Sequence, residues 1–270
     1  MSVPFKMITI SSRENAQVKA WRRLAQEPHA YRKTGQVWLE GEHLCSVAKQ
    51  ACVPVQALVL SQSRWDAGEL EQWLPAALPN GAAGQRLSVV VLDDALFAHV
   101  SGLESAAGLA YVMPCGDEVL TAQPGQPTVV LDRLQDAGNV GAILRCAAAF
   151  GFKQIVAVQG TAALWSPKVL RAGMGAHFGL RLVEQAQPQD VLALQVPLLI
   201  TSSHEGAYLH QADLPWPCAW VMGHEGQGVG AALSALAHTP VRIAQPGGQE
   251  SLNVATAAAI CLHASAAAWA

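Results

Sequence analysis

Charge is scarce in this chain: only 14% of its 270 residues are charged, and aromatic residues make up another 6%. Hydrophobic residues make up 51%, yet no apolar run is long enough for a transmembrane helix, and the N-terminus lacks the apolar core of a signal peptide. We therefore expect a cytoplasmic globular protein with large buried surfaces and enough length for two domains.

Several patterns that carry familiar chemistry are also missing. The six cysteines are scattered without a CxxC pair, and the nine histidines show no HExxH or HxxxH spacing, so neither a disulfide framework nor a metal site is indicated. No GxGxxG motif follows an early strand, and no acidic residue follows downstream to bind a ribose. A nicotinamide-dependent Rossmann enzyme is therefore disfavoured.

The net charge of −3 conceals an uneven distribution. Residues 1–35 contain seven cations and two carboxylates, whereas residues 36–127 are acidic. A local basic patch can bind phosphate groups even on an acidic protein, although a solvated helix face accounts for the same pattern. The candidate nucleic-acid contacts in this segment are Arg13, Lys19, Arg22, Arg23, Arg32 and Lys33.

The first half of the chain is typical of a small α/β unit. A helix of period 3.6 follows residues 12–15, with Val18, Trp21 and Leu24 on one face. The remaining pattern predicts strands at 36–39, 55–60, 88–92 and 109–113, helices at 42–51 and 65–74, and a loop at 80–84. Residues 116–127 are polar and rich in proline and glycine, so we predict a linker there between domains at 1–115 and 128–270.

The second half of the chain alternates strands and helices. Strands are predicted at 128–134, 154–158, 198–202, 219–222 and 241–244, and helices at 140–150, 167–173, 189–194, 230–236 and 252–269. This alternation predicts an α/β fold with a mostly parallel sheet and helices on both faces. Ligands of such sheets bind at the carboxyl ends of the strands.

Three segments at those strand ends contain the candidate chemistry. LDRLQDAGNVGAILRCAAAFG (131–151) has Arg145 as the lone charge in an apolar helix, where a buried guanidinium needs a structural carboxylate or an anionic ligand. GHEGQGVG (223–230) is a Gly-rich turn, which admits a ligand close to the backbone but also forms without one. GGQESLNVATAAAI (247–260) begins a helix with Ser251 as a favoured N-cap and Asn253 in the first turn.

Together, and in this order, the three segments resemble the signature motifs of the SpoU (TrmH-like) RNA methyltransferases of the SPOUT superfamily. The matching residues are Asn139 and Arg145 in the first motif, Gly223, Glu225 and Gly226 in the second, and Ser251, Leu252 and Asn253 in the third. One mild departure is His224, at a position where the family usually has a small residue. The resemblance extends to residues 11–50, where TGQVWLEGEHL is similar to the ribosomal-protein-like RNA-binding domain of many family members.

The resemblance implies a C-terminal domain folded as a deep trefoil knot, which binds S-adenosylmethionine in a bent conformation and assembles as a homodimer. It implies cofactor contacts by a set of residues around the knot, namely Thr201, Gly223, Glu225, Gly226, Ile243, Ser251 and Leu252. The catalytic residues that it implies are Arg145, Asn139, Glu225, Ser251 and Asn253.

The implied reaction is methylation of a ribose 2′-hydroxyl in rRNA or tRNA, with rRNA favoured by the domain pairing. A guanidinium stays protonated, so we expect Arg145 to bind the target phosphate and the developing oxyanion while a phosphate oxygen or water takes the proton. Asn139, Ser251 and Asn253 would hold Arg145 in place, and Glu225 would orient it or close the turn. Two alternatives stay open: a SPOUT enzyme that methylates a base, and a non-catalytic RNA-binding protein on the same scaffold.

Overall fold

The computed structural model describes residues 5–76, 86–115, 121–202, 205–236, 239–248 and 251–269. The chain divides into two compact units, Met1–Asp117 with Trp165–Arg171, and Glu118–Leu164 with Ala172–Ala270. The first five residues of the proposed linker at 116–127, like the loop expected at 80–84, lie outside the described residues. The domain boundaries drawn from the sequence stay predictions. Within the described ranges, no helix is long and apolar enough to cross a membrane.

The N-terminal unit contains a five-stranded mixed sheet in the order β1-β4-β3-β5-β2. Strands β1, β4 and β3 run parallel to one another, and β5 is antiparallel to both β3 and β2. The strands are β1 (Phe5–Ile10), β2 (Gln36–Glu40), β3 (Ala57–Ser61), β4 (Leu87–Leu92) and β5 (Leu109–Pro114). The helices are α1 (Ala16–Gln26), α2 (Tyr31–Thr34), α3 (Glu42–Gln50), α4 (Gln62–Asp66), α5 (Leu70–Trp73) and α6 (Asp94–Val100).

Helix α1 is held by the apolar face that its periodicity predicts. Val18, Trp21 and Leu24 are buried, and Asn15 caps the helix by accepting a hydrogen bond from the Gln17 N–H. The Trp21 ring packs 6.0 Å from the Trp38 ring of β2, measured between ring centroids. The opposite face of α1 is exposed and carries its lysine and arginines, so the cations play no part in the core.

Two expectations for the N-terminal unit were wrong in detail. The helix expected at 65–74 is two short helices, α4 and α5, because Gly68 adopts φ +76° between them and Ser61 caps the first by accepting from the Arg64 N–H. The sequence pattern also did not indicate β1, a half-exposed edge strand, or α6, which Asp93 caps by accepting a hydrogen bond from the Leu96 N–H. Neither element was predicted, because a partly exposed or very short element has little periodicity in its apolar residues.

The C-terminal unit contains a seven-stranded sheet in the order β10-β12-β9-β11-β6-β7-β8, and every described pair in it is parallel. Its strands are β6 (Thr128–Leu131), β7 (Gln154–Val158), β8 (Arg181–Ala186), β9 (Leu198–Thr201), β10 (Ala207–Tyr208), β11 (Ala219–Met222) and β12 (Thr239–Arg242). The helices of the second half are α7 (Ala137–Ala149), α8 (Pro167–Gly173, divided between the units), α9 (Ala231–Ser234) and α10 (Val254–Ala267). Two 3-10 turns lie at Ala176–Gly179 and Pro188–Leu194.

The alternation of strands and helices confirms the predicted α/β class with a mostly parallel sheet. The central strands β6, β7 and β11 are buried along their whole length, as a sheet covered on both faces requires. Several boundaries differ from those expected. Strand β6 ends at Leu131 rather than at residue 134, β12 lies two residues earlier than expected, and β8 was missed. The expected helix at 189–194 is a 3-10 turn.

Candidate functional site

The Gly-rich turn after β11 is closed by its own backbone. His224 and Gly228 exchange two backbone hydrogen bonds of 3.0 and 2.8 Å. A Cβ atom on Gly223 would overlap the backbone of Gly228, so only glycine fits at that position. The Nδ1 atom of His224 accepts a hydrogen bond of 3.0 Å from the Gly226 N–H. This histidine, a departure from the resembled motif, therefore stabilises the turn.

Glu225 attaches this turn to the segment that follows β6. Its carboxylate accepts hydrogen bonds from the backbone N–H groups of Gln135 (3.3 Å) and Asp136 (3.2 Å), and from Nδ2 of Asn139 (3.3 Å). Burial raises the pKa of Glu225, but its own N–H and those of Asp136, Gln135 and Asn139 outweigh burial, so the pKa lies below its ordinary value. Glu225 is thus an ionised residue that positions the turn, and it is a poor proton acceptor at neutral pH.

Asn139 connects the same network to the start of α10. Its Oδ1 accepts a hydrogen bond of 3.0 Å from Nδ2 of Asn253. Oδ1 of Asn253 accepts from the N–H groups of Ala255 (2.9 Å) and Thr256 (3.2 Å). Asn253 is therefore the N-cap of α10, and the expectation that Ser251 caps this helix was wrong. Asn253 caps the helix because its Oδ1 accepts from the N–H groups of Ala255 and Thr256 while its Nδ2 donates to Asn139.

A second carboxylate, which the sequence analysis missed, secures the far side of the turn. Asp132 is only 2% exposed, and its Oδ2 accepts a hydrogen bond of 2.6 Å from the Gly230 N–H. Nε of Arg133 lies 2.8 Å from Oδ1 of the same aspartate, and Nη1 lies 3.4 Å from Oε1 of Gln227. The polar Asp-Arg pair directly after a buried strand was the available signal.

Arg145 does not occupy the environment that the sequence suggested. Helix α7 buries Val140, Ile143, Leu144 and other apolar residues, but the Arg145 side chain lies on its exposed face. Over the described ranges, Arg145 makes no hydrogen bond and no ion pair. The inference that burial forces it to meet an anion was therefore wrong, because water solvates an exposed guanidinium. The position leaves the group accessible to an external phosphate.

The other predicted site residues lie at strand ends or beside α10. Thr201 ends β9 and donates a hydrogen bond of 3.4 Å to the Val221 carbonyl, and Ile243 follows β12 directly. Ser251 and Leu252 precede α10 and are exposed. The structure thus joins Asn139, Glu225 and Asn253 by direct hydrogen bonds.

In the N-terminal unit, four of the six predicted RNA contacts line one groove of about 440 Å³: Arg13, Lys19, Arg22 and Arg23. Its other walls are Glu14, Gln26, Glu27 and His99. Lys19 pairs with Glu14 at 2.5 Å, whereas Arg22 Nη1 lies 3.4 Å from Nε2 of His99. Burial, together with the charges of Arg22 and Arg13, holds the pKa of His99 below its ordinary value. Arg32 and Lys33 do not line the groove, and the Arg32 guanidinium lies over the Tyr31 ring.

The chain is similar to known proteins along nearly its whole length. It is 30% identical to the 23S rRNA (guanosine(2553)-2′-O)-methyltransferase RlmP of Bacillus subtilis, over 95% of this chain and 98% of that protein. Its fold is similar to that of the SpoU methyltransferase AviRb from Streptomyces viridochromogenes in complex with AdoMet, with a TM-score of 0.81, 23% identity, and 95% and 98% of the two chains covered. An AdoMet-bound rRNA methyltransferase from Sinorhizobium meliloti gives a TM-score of 0.79 at 23% identity, with 98% and 99% covered.

The C-terminal half of the chain matches a known protein family. Residues 126–263 match the SpoU rRNA Methylase family, and this range contains all three segments joined around Glu225 and Asn139. The resemblance drawn from the sequence is thereby confirmed: the chain belongs to the SpoU rRNA methylase family.

Proposed function

We propose that this protein transfers the methyl group of S-adenosylmethionine to a ribose 2′-hydroxyl of rRNA. The observation that carries the proposal is the hydrogen-bonded network of Glu225, Asn139 and Asn253, which joins the three family segments at the carboxyl ends of β6 and β11. Membership of the SpoU rRNA methylase family supports the reaction. The similarity to RlmP of Bacillus subtilis, named as a 2′-O-methyltransferase of 23S rRNA, supports the substrate.

The cofactor site comprises the turn after β11 and the segments after β9 and β12, within a trefoil knot. Its residues are Thr201, Gly223, Glu225, Gly226, Ile243, Ser251 and Leu252. One orphaned polar atom fits such a site: the side-chain Oε1 of Gln245 is buried and has no hydrogen-bond partner within the described residues. A buried acceptor without a donor is costly, and a ligand amine near Ile243 would satisfy it.

The sulfonium methyl of the cofactor is already activated, so the protein's own residues mainly position the hydroxyl and stabilise charge. Arg145 binds the phosphate beside the target ribose and the developing oxyanion, and a phosphate oxygen or water takes the proton. Its exposure supports this role, because an RNA backbone can reach it. Preorganised donors of this kind contribute about 3–4 kcal/mol each to transition-state stabilisation. Asn139 and Asn253 join the first and third segments through a hydrogen bond of 3.0 Å, and Ser251 precedes helix α10. None of the three is hydrogen-bonded to Arg145 within the described residues, contrary to the expectation that they hold it in place.

The N-terminal unit binds the RNA backbone as a ribosomal-protein-like domain. The groove beside α1 supports this role, because Arg13, Arg22 and Arg23 line it together. None of these three arginines forms an ion pair within the part of the chain that the structure describes. Uncompensated cations in one depression favour phosphate binding that weakens as salt rises. Arg32 and Lys33 contribute a second basic contact on the same unit.

The protein acts as a cytoplasmic homodimer through its C-terminal unit. Helix α10 supports this assembly, because it is mostly apolar, has no charged residue apart from the titratable His263, and leaves Ile260 37% exposed in the single chain. An exposed apolar face on a helix is typical of a subunit interface.

The experiment that tests the proposal supplies purified protein with S-adenosylmethionine labelled at the methyl group and with rRNA transcribed without modifications. Nuclease digestion followed by mass analysis then identifies the methylated nucleoside. Label on the ribose 2′-oxygen is the expected result. Label on a base would support a base-methylating SPOUT enzyme instead. RNA binding without any transfer, together with no cofactor binding by calorimetry, would indicate a non-catalytic RNA-binding protein.

A further inference from the structure

An exposed stack of a cation and two rings lies on β10, the edge strand of the seven-stranded sheet. Tyr208 pairs with Arg242 of β12 in the parallel register, so the two side chains leave the same face of the sheet. The Arg242 guanidinium lies over the Tyr208 ring, with Cζ 4.4 Å from the ring centroid. The His210 ring is stacked on the same tyrosine at 5.8 Å and an interplanar angle of 19°.

The backbone fixes this stack in place. Nε of Arg242 donates a hydrogen bond of 2.9 Å to the Gly206 carbonyl, and the Leu209 N–H donates to the Arg242 carbonyl at 2.7 Å. Gly206 has φ +94°, and a Cβ there would overlap the Pro240 carbonyl, so the segment before Tyr208 lies directly against β12. The guanidinium and the backbone on either side of Tyr208 are therefore held in place before any ligand binds.

The stack does little for the core. Tyr208 is 38% exposed and His210 is also exposed, although a stacked tyrosine would gain more stability from burial. Over the described residues, Arg242 forms no ion pair with a carboxylate, so its charge stays uncompensated at the surface. A cation–π contact at an exposed site contributes little to stability, and the aromatic surface beside it stays open to solvent.

The stack also lies close in sequence to the proposed site. Arg242 ends β12 and is followed at once by Ile243, while Val241 pairs with Thr201 of β9. Both Thr201 and Ile243 belong to the proposed cofactor residues. A ligand on the stack would therefore lie near the carboxyl edge of the sheet, where the reaction takes place.

We propose that Tyr208, Arg242 and His210 form a platform on which an unpaired RNA base stacks. This inference rests on the proposed RNA methyltransferase function and names a base contact for it. Unpaired bases are bound by stacking on aromatic rings and guanidinium planes, and a fixed cation attracts the neighbouring phosphate. A folded RNA helix cannot use such a surface, because its bases are already stacked. The platform selects single-stranded RNA around the target nucleotide.

The test compares two RNA probes that differ only in whether their bases can stack. An oligouridylate of about ten nucleotides has planar aromatic bases, whereas the matching oligo-dihydrouridylate has puckered, saturated rings and the same backbone. Binding of both is measured by fluorescence anisotropy for the wild type, Tyr208→Ala and Tyr208→Phe. Leu192→Ala removes an exposed apolar side chain elsewhere in the same unit and serves as the matched control.

We expect the wild type, Tyr208→Phe and Leu192→Ala to prefer oligouridylate over oligo-dihydrouridylate. Tyr208→Ala should lose about 5- to 150-fold in affinity for oligouridylate and bind both probes equally. Its affinity for S-adenosylmethionine by calorimetry and its thermal midpoint should match those of the wild type.

Four outcomes would overturn the inference. Equal binding of both probes by the wild type leaves the proposed RNA binding intact but removes the platform, as does an unchanged preference in Tyr208→Ala. A loss of cofactor binding or of folding in Tyr208→Ala, with Tyr208→Phe normal, would assign the ring a structural role. A wild type that binds neither probe and no rRNA would remove the proposed function as well.

Discussion

The two sheets of this protein use their carboxylates in different ways. In the N-terminal unit, carboxylates neutralise a cation inside the fold: Arg64 pairs with Glu69 at 2.6 Å and with Glu42 at 2.7 Å. In the C-terminal unit, Glu225 accepts hydrogen bonds from backbone N–H groups without an ion pair in the described residues, and Asp132 combines such a hydrogen bond with an ion pair to Arg133. The first arrangement stabilises the N-terminal unit. The second fixes loops at the carboxyl edge of a parallel sheet, where ligands bind.

The segment LEGEHL in the N-terminal unit illustrates the structural use of such groups. The Glu40 carboxylate accepts hydrogen bonds from Trp38 Nε1, from Ser101 Oγ and from the Ala107 N–H. Gly41 adopts φ +100°, which a side chain would strain. Both residues are explained by the fold of their own unit, so neither is needed for chemistry.

The largest expected effect tests whether the C-terminal unit, with its exposed cation, is the catalytic one. Arg145→Ala should reduce methyl transfer to unmodified rRNA by about 10²–10³-fold, since it removes the donor that stabilises developing charge. Its thermal midpoint and cofactor affinity should stay unchanged, because the side chain is exposed. Lys153→Ala removes another exposed cation from the same unit and should keep its activity. Near-normal turnover in Arg145→Ala would refute the catalytic role.

The second prediction distinguishes two roles of Asn253, which caps helix α10 and also links this helix to Asn139. Asn253→Ala should destabilise the protein by about 1 kcal/mol in denaturant unfolding, because two N–H groups of α10 lose their acceptor. Asn253→Ser restores a cap but is too short to reach Asn139, so its stability should recover while methyl transfer stays about tenfold reduced. Full activity in Asn253→Ser would mean that the Asn139 contact is dispensable.

A pH effect tests the groove of the N-terminal unit. A bound phosphate would raise the pKa of His99, which burial and the charges of Arg22 and Arg13 hold below its ordinary value in the free protein. RNA affinity should therefore grow as the pH falls through the His99 pKa, by about tenfold for a shift of one unit. The other charged residues that line the groove are Glu14, Glu27, Lys19 and Arg23.

Calorimetry of RNA binding in two buffers of different ionisation enthalpy measures the proton uptake directly. His99→Gln should abolish that uptake, and His29→Gln, which changes an exposed histidine of the same unit, should leave it intact. Equal proton uptake in His99→Gln and the wild type would place the titrating group elsewhere.

The smallest effect concerns the acid stability of the C-terminal turn. Because the pKa of Glu225 lies below its ordinary value, its contribution to stability is present above about pH 4.5 and is lost as the pH falls through the folded-state pKa. The stability difference between wild type and Glu225→Gln should shrink over that acid range, by less than about 1 kcal/mol for a partly exposed group. Urea unfolding at a series of pH values measures it. A difference that grows on acidification would contradict the hydrogen-bonded role.

Much of the fold was predictable because buried strands and amphipathic helices leave clear periodic patterns. Strands β7 and β11 have the bounds that the sequence indicated, and the apolar face of α1 is the expected one. Edge strands such as β1 and β10 were not predicted, since exposed or two-residue strands lack a detectable alternation of apolar residues. The site was partly predictable: Glu225, Asn139 and Asn253 were named, but the cap of α10, the Asp132–Gly230 bond and the exposure of Arg145 were not.

The amino-acid sequence by itself determined the α/β class, the parallel C-terminal sheet and the three segments that identify the SpoU family, because each is a local pattern of apolar spacing or residue type. Only the tertiary structure decided which polar groups meet. Asn253 reaches Asn139 across 114 positions, and His99 joins Arg22 across 77. It also decided which face of α7 stays uncovered, and thereby that Arg145 is solvated. The spacing of apolar residues indicates which face of a helix is apolar, but packing against elements distant in sequence determines which face is buried.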